Sequence, residues 1–191
     1  MTWLIRKRAW RHKTGTSLPV SFFRVPRFID DGDLRLRRMR ISDVPLMREG
    51  LSRTGFSATA RQPNRGKWRS ALALWWWLRR TYILLFCIEA GGERIGFVGL
   101  CNLTPPESAE ITLVLFDPRH RRRGYGTRAY HSLIRTLSQG PLVKRIIAKV
   151  SVDNGQSLSF WGKMGLREIE IRNGKKTFAQ ELSSRDAQGG H

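Results

Sequence analysis

Residues 120–130 read HRRRGYGTRAY, and the segment that leads into them, residues 109–118, reads AEITLVLFDP. The upstream stretch is a continuous apolar run, so it is expected to be a strand buried on both faces. The downstream stretch turns through three arginines and then two glycines, Gly124 and Gly126, into a run of helix-forming residues. A helix N-terminus leaves backbone N–H donors unpaired and carries a partial positive charge. Glycines at that point let an anion approach the backbone, and arginines around it add charge. This is the chemistry of phosphate binding. The spacing is not that of a P-loop, because no Gly-Lys-Ser/Thr follows, and it is not the dinucleotide-binding fingerprint either.

Outward from this loop the chain alternates between strand and helix signals. LRLRRMR (34–40) alternates apolar and basic residues as a strand does, and Ser42 is placed to cap a helix over DVPLMREGL. KWRSALALWWWLRR (67–80) reads as a helix; YILLFCIEA and RIGFVGLCN, joined by GGE, read as a hairpin. After the helix that follows Gly124 come a strand, KRIIAKVSV, and a short helix, NGQSLSFWGKM, with Gly165 as its C-cap. A last hairpin turns at Asn173-Gly174. FIDDGD (28–33) is rich in turn formers and reads as a boundary. The order predicts an α/β (α+β) domain over 34–181, a basic extension over 1–33 and a disordered tail over 182–191.

The 191 residues carry a net charge of +20, unevenly spread. Residues 81–120 hold 2 basic and 5 acidic side chains, whereas 121–160 hold 8 basic and 1 acidic. Anionic partners are therefore expected at the flanks: RNA, a membrane surface or an acidic small molecule. Cys87 and Cys101 lie in apolar runs, as buried thiols of a reducing, cytoplasmic protein do. No Cys/His spacing suggests a metal site, and the longest apolar run, Ala71 to Leu78, is too short to span a bilayer.

Two motifs in order carry a family resemblance. Arg121-x-x-Gly124-x-Gly126, preceded by Asp117-Pro118, resembles motif A of the GNAT acetyltransferase superfamily. VDNGQSLSFWGKMGL, with Asn154, Ser157, Trp161, Lys163 and Gly165, resembles its motif B. The resemblance implies a mixed central sheet of about six or seven strands, splayed at the cofactor site and flanked by helices. It implies acetyl-CoA, or another acyl-CoA, as co-substrate. The backbone of Val114, Leu115 and Phe116 would pair with the pantetheine arm. Arg121, Arg122, Arg123, Gly124, Tyr125, Gly126 and Thr127 would surround the pyrophosphate. Asn154, Ser157 and Trp161 would lie along the arm from the other side.

Amide formation needs an acceptor ammonium that loses a proton and a leaving thiolate that gains one. The resemblance points to Glu110 as the base; a strand-end salt bridge with one of the many arginines is the competing reading of the same residue. Some family members carry a base glutamate five residues before the motif B asparagine, where this chain has Lys149. Many carry a tyrosine as acid seven residues after it, where this chain has Trp161, whose indole cannot supply a proton at neutral pH. Packing is the plain reading of Trp161.

The acceptor is expected to meet Trp68, Trp75, Trp76, Trp77, Arg79 and Arg80. Three successive tryptophans cannot share one helix face, because neighbours differ by ~100°. Core and hairpin packing is the plain reading of these residues; the resemblance implies a primary amine as acceptor at this segment, apolar or anionic if the tryptophans and arginines line a pocket. The competing class is a degenerate member that binds CoA, RNA or a protein partner without turnover. Trp3, Trp10, Phe22 and Phe23 among the N-terminal arginines carry the RNA reading. The assembly state, monomer or homodimer, stays open.

Overall fold

The computed structural model describes residues 25–47 and 83–182. The expectations for the basic extension before residue 25, for the tryptophan-rich stretch at 67–80 and for the tail after 182 fall outside these residues. Eight strands form one sheet: β1 (Phe28–Asp31), β2 (Leu34–Arg38), β3 (Leu84–Ala90), β4 (Glu93–Thr104), β5 (Ser108–Leu115), β6 (Arg145–Ser151), β7 (Arg167–Arg172) and β8 (Lys175–Glu181). Their spatial order is β1-β2-β3-β4-β5-β6-β8-β7. Every neighbouring pair is antiparallel except β5 and β6, which run parallel. Helix α1 (Tyr125–Ser138) makes the crossover between that parallel pair, and α2 (Gly155–Lys163) follows β6. The architecture is the expected mixed α/β sheet, with one strand more than the upper count. The additional strand is β1. FIDDGD, read as a boundary, folds as a strand and its turn, with Gly32 at φ 63°.

Helix α1 buries Ala129, Tyr130, Leu133, Ile134 and Leu137, a spacing of three and four that makes one apolar stripe. It covers the sheet face made by Leu36, Phe86, Val98, Leu100, Ile111, Ile146 and Ala148, all buried. Trp161 and Phe178 extend this core under α2. The opposite face carries a smaller cluster of Met39, Met47, Ile83, Leu85, Phe97 and Phe116.

One polar network is built into that second face. Arg37 of β2 forks onto both oxygens of Asp43 at 3.0 Å each and donates Nε to Glu89 at 2.7 Å. Asp43 also accepts the Arg40 N–H at 2.8 Å and Arg94 Nη1 at 3.2 Å. The turn at Ile41–Asp43 is thus closed by Asp43, not by the expected Ser42 cap, because only the carboxylate reaches both the backbone and two guanidinium groups. Burial raises the Asp43 carboxyl, but the donors from Arg37, Arg40 and Arg94 more than offset this and leave it below its ordinary 3.8.

Asp43→Ala would leave the Arg37 guanidinium buried without its bidentate partner, at a cost of about 3–5 kcal/mol in urea unfolding. Because the folded carboxyl titrates below the unfolded one, its stabilisation is present above pH 3.8 and is lost as pH falls through the lowered value. Asp43→Asn should therefore flatten the stability profile below pH 4, which a pH series of urea melts would measure.

Candidate active site

The parallel ladder is short. Ser108, Ala109 and Glu110 of β5 pair with Arg145, Ile146 and Ile147 of β6, and there the pairing ends, although β5 runs on to Leu115 and β6 to Ser151. Beyond Glu110 the two strands part and leave a wedge. The continuous apolar run is for this reason not buried on both faces: Thr112 through Leu115 are each half-buried. Register decides which backbone groups face the wedge. The Phe116 N–H donates to the Ile95 carbonyl of β4 at 2.9 Å. Backbone groups alternate in an antiparallel ladder, so Val114 also turns to β4. A Cβ built on Gly96 of β4 would lie 2.3 Å from the Val114 oxygen, in keeping with that direction. Leu113 and Leu115 are left to present N–H and C=O to the wedge. Of the three expected strand residues, only Leu115 offers its backbone there, and Leu113 joins it.

The loop at the mouth of the wedge is held from within. Asp117 accepts the Arg119 N–H at 2.8 Å and the Arg119 guanidinium at 2.8 and 2.9 Å, which hold its carboxyl down at about 2. A 3-10 turn, Pro118–His120, follows, and its last bond uses the Arg121 N–H. Arg122 (φ 59°) and Gly124 (φ 81°) then take left-handed backbone, and the chain enters α1. The Arg128 N–H makes the first helical bond, to the Gly124 carbonyl at 2.9 Å. The N–H groups of Tyr125, Gly126 and Thr127 therefore point out of the helix start without intrahelical acceptors. Arg122 and Arg123 are exposed beside them. Arg128 is turned back onto the β1–β2 turn, with Nε 3.0 Å from Asp31 and Nη1 2.7 Å from Asp33, and a further bond to the Asp31 carbonyl.

The other wall is α2. Asn154 caps it: Oδ1 accepts the Ser157 N–H at 3.0 Å, which leaves the Nδ2 donor for a ligand. The Phe160 ring and the Leu113 side chain converge on Gly126, 3.6 and 3.5 Å from where a Cβ would stand. Trp161 takes the packing role. It is 6% exposed, with its ring edge-on to Tyr130 at 5.8 Å, and it supplies neither an acid nor a lining group.

Glu110 stands where the ladder ends. Its Oε2 accepts Lys149 Nζ at 2.9 Å and Asn102 Nδ2 at 3.0 Å, and its side chain is 23% exposed. It lies on the sheet face opposite α1, the face of Val114 and Phe116. Cys101 sits beside it, its thiol pushed up to about 11 by burial and by the Glu110 carboxylate; burial does the same to Cys87. Neither thiol is an activated nucleophile. Among the described residues no three His, Cys, Asp or Glu side chains gather to hold a metal ion, and no helix is long and apolar enough to cross a membrane.

A family model, Acetyltransferase (GNAT) family, matches residues 53–166. The chain belongs to the GNAT acetyltransferase family. An uncharacterised N-acetyltransferase of Methanocaldococcus jannaschii is 30% identical over 105 residues, which is 52% of this chain. The chain spans about half the length of that curated relative, 46%. Among solved structures, the Salmonella typhimurium acetyl transferase that modifies the N-terminal serine of ribosomal protein L7/L12 superposes with TM-score 0.65 at 18% identity. That match covers 82% of this chain and 99% of the other. Spermidine N-acetyltransferase from Vibrio cholerae, solved with CoA and spermine, superposes with TM-score 0.65 at 17% identity, over 80% and 97%. At these identities the likeness shows the GNAT fold.

Within that fold, the structure brings Leu115, Gly124–Thr127 and Asn154 around one wedge, with Glu110 at its closed end. It turns the Val114 and Phe116 backbone and the Trp161 ring away. Sequence reasoning missed Leu113, Phe160, Asn102 and the pairing of Lys149 with Glu110. Strand parity would have found Leu113 had the register been known; the other three follow from contacts that a linear reading does not contain. Asn154 does two separable jobs, which two variants distinguish. Asn154→Ala is expected to lose about 1 kcal/mol of stability with the cap. Asn154→Asp should keep that stability in thermal melts while weakening CoA binding about three- to tenfold in calorimetry, because a carboxylate caps but cannot donate.

Proposed function

We propose that this chain transfers an acetyl group from acetyl-CoA to the primary amine of an acceptor by direct attack within a ternary complex. The observation that carries the reading is the wedge between β5 and β6, with unpaired N–H donors at its mouth and Glu110 at its closed end. The residues present fit the co-substrate. The amides from Arg122 to Thr127 and the exposed Arg122 and Arg123 would hold the pyrophosphate, and Arg121 flanks them. The backbone of Leu113 and Leu115 would pair with the amides of the pantetheine arm from one wall, and Asn154 Nδ2 would donate from the other. Ser157 stands beside Asn154 on the same helix turn. When bound, acetyl-CoA supplies the thioester that makes the acyl carbon reactive.

Glu110 takes the proton that the acceptor ammonium must lose, directly or through a water. Asn102 holds the carboxylate in place. Because both thiols are pushed up to about 11, no acyl-enzyme step is assigned to them. The Tyr130 hydroxyl is bonded to Gln180 and raised by burial, and Trp161 lies in the core, so neither is assigned as the acid; in this reading the departing thiolate takes its proton from water or from the acceptor amine. The buried, unactivated thiols are those of a cytoplasmic protein, and that location is part of this proposal. The ion pair on Glu110 favours one second reading, a family member that binds an acyl-CoA without turning it over. It predicts CoA binding with no thiol release for any amine.

Two measurements test the proposal. Calorimetry should detect acetyl-CoA binding that Gly124→Glu abolishes, since a side chain at φ 81° is strained and its carboxylate would face the phosphates. Glu110→Gln should lower kcat/KM by about a hundredfold and change the pH profile of the rate. Unchanged turnover with an unchanged pH profile would mean that Glu110 is not the base.

A further inference from the structure

The Lys149 ammonium lies 2.9 Å from Glu110, the position that the acceptor's own ammonium takes when it hands its proton to Glu110 directly. Lys149 sits two residues past the last β5–β6 pair, so its side chain crosses the start of the wedge on the face opposite α1. It is half-exposed at 46%, and among the described residues the Glu110 carboxylate is the partner of its ammonium. Its surroundings on that face are basic. Lys149 stands opposite Thr177, and Lys175, opposite Ser151 and Arg172, lies on the same face by register. Glu170, opposite Thr177, is the acid of the neighbouring edge strand; Glu181 is held by Arg145. When an acceptor ammonium takes Glu110, Lys149 loses the carboxylate that it bonds among the described residues, with Lys175 and Arg172 on the same face.

We infer that Lys149 selects the acceptor: the substrate is an amine that carries an oxyanion, a carboxylate or a phosphate, a few bonds from its nitrogen. The inference rests on the acyl-transfer reading above and names the substrate class of that site. The ammonium of such a molecule replaces Lys149 on Glu110, and its anion takes up the released Lys149 ammonium, so both charges of the resting ion pair are matched again. A simple alkylamine strands Lys149 without a partner. A diamine or polyamine does so and adds a like charge beside Lys149 and Lys175.

The test uses the full chain saturated with CoA, which binds without turnover, and four amines of one skeleton: butylamine, 1,4-diaminobutane, 4-aminobutanoate and 4-aminobutyl phosphate. Calorimetry should show at least one anionic amine binding tenfold or more tightly than butylamine, and the diamine binding most weakly. Whichever of the carboxylate and phosphate binds more tightly identifies the anion. Lys149→Gln should erase that advantage, Lys149→Arg should keep it, and Lys149→Glu should reverse the order in favour of the diamine. The inference is overturned by equal binding of butylamine and both anionic amines, or by an advantage that survives Lys149→Gln. Failure of all four amines to bind while CoA binds also overturns it and leaves the cofactor reading standing. Failure of CoA itself to bind overturns both.

Discussion

The structure turns on where one parallel ladder stops. A sheet interior normally pairs every N–H and C=O, because an unpaired group away from water costs free energy comparable to a lost hydrogen bond. Here β5 and β6 pair over three residues and then separate, which leaves Leu113 and Leu115 with backbone groups that only water or a ligand can satisfy. The rest of the site is arranged around that gap. Helix α1 must cross from β5 to β6, so its N-terminus falls at the mouth of the wedge; α2 follows β6, so its cap falls on the other wall. Gly126 is where the three elements meet, with Leu113 and Phe160 closing on it.

Charge is organised by the same plan. Although the chain carries +20, its acids are not scattered. Asp31 and Asp33 hold Arg128, Asp117 holds Arg119, Asp43 holds Arg37 and Arg94, Glu110 holds Lys149, and Glu168 holds Lys176. Apart from Lys149, each of these pairs occupies a basic residue that would otherwise compete for a ligand. The exposed Arg122 and Arg123 at the helix start lie outside these pairs, so positive charge and free backbone donors coincide there.

Much of this was legible in the residues. The α1 stripe, the Asn173-Gly174 hairpin, the Gly165 cap and the glycine loop are local patterns, and each folds as its chemistry dictates. What stayed hidden depends on partners distant in sequence. FIDDGD looks like a boundary because its acids are poor strand formers; it becomes β1 because β2 offers an edge and Arg128 neutralises the turn. The apolar run of β5 looks doubly buried because its composition does not record where β6 leaves it. Lys149 and Glu110 lie 39 residues apart, and neither one announces the other.

The grip of Arg128 on Asp31 and Asp33 has a bearing on how the molecule assembles. These partners are 97 and 95 residues apart, so the contact that seats the first turns of α1 belongs to the slowly formed, non-local class. The acids leave the ribosome long before the arginine does. The β1–β2 hairpin must wait for this contact until about half of the chain has followed it. The glycine loop is then set late, by a residue at one end of the sheet, and a chain shortened to begin at Leu34 would carry every motif residue and still lack the latch that holds the helix start.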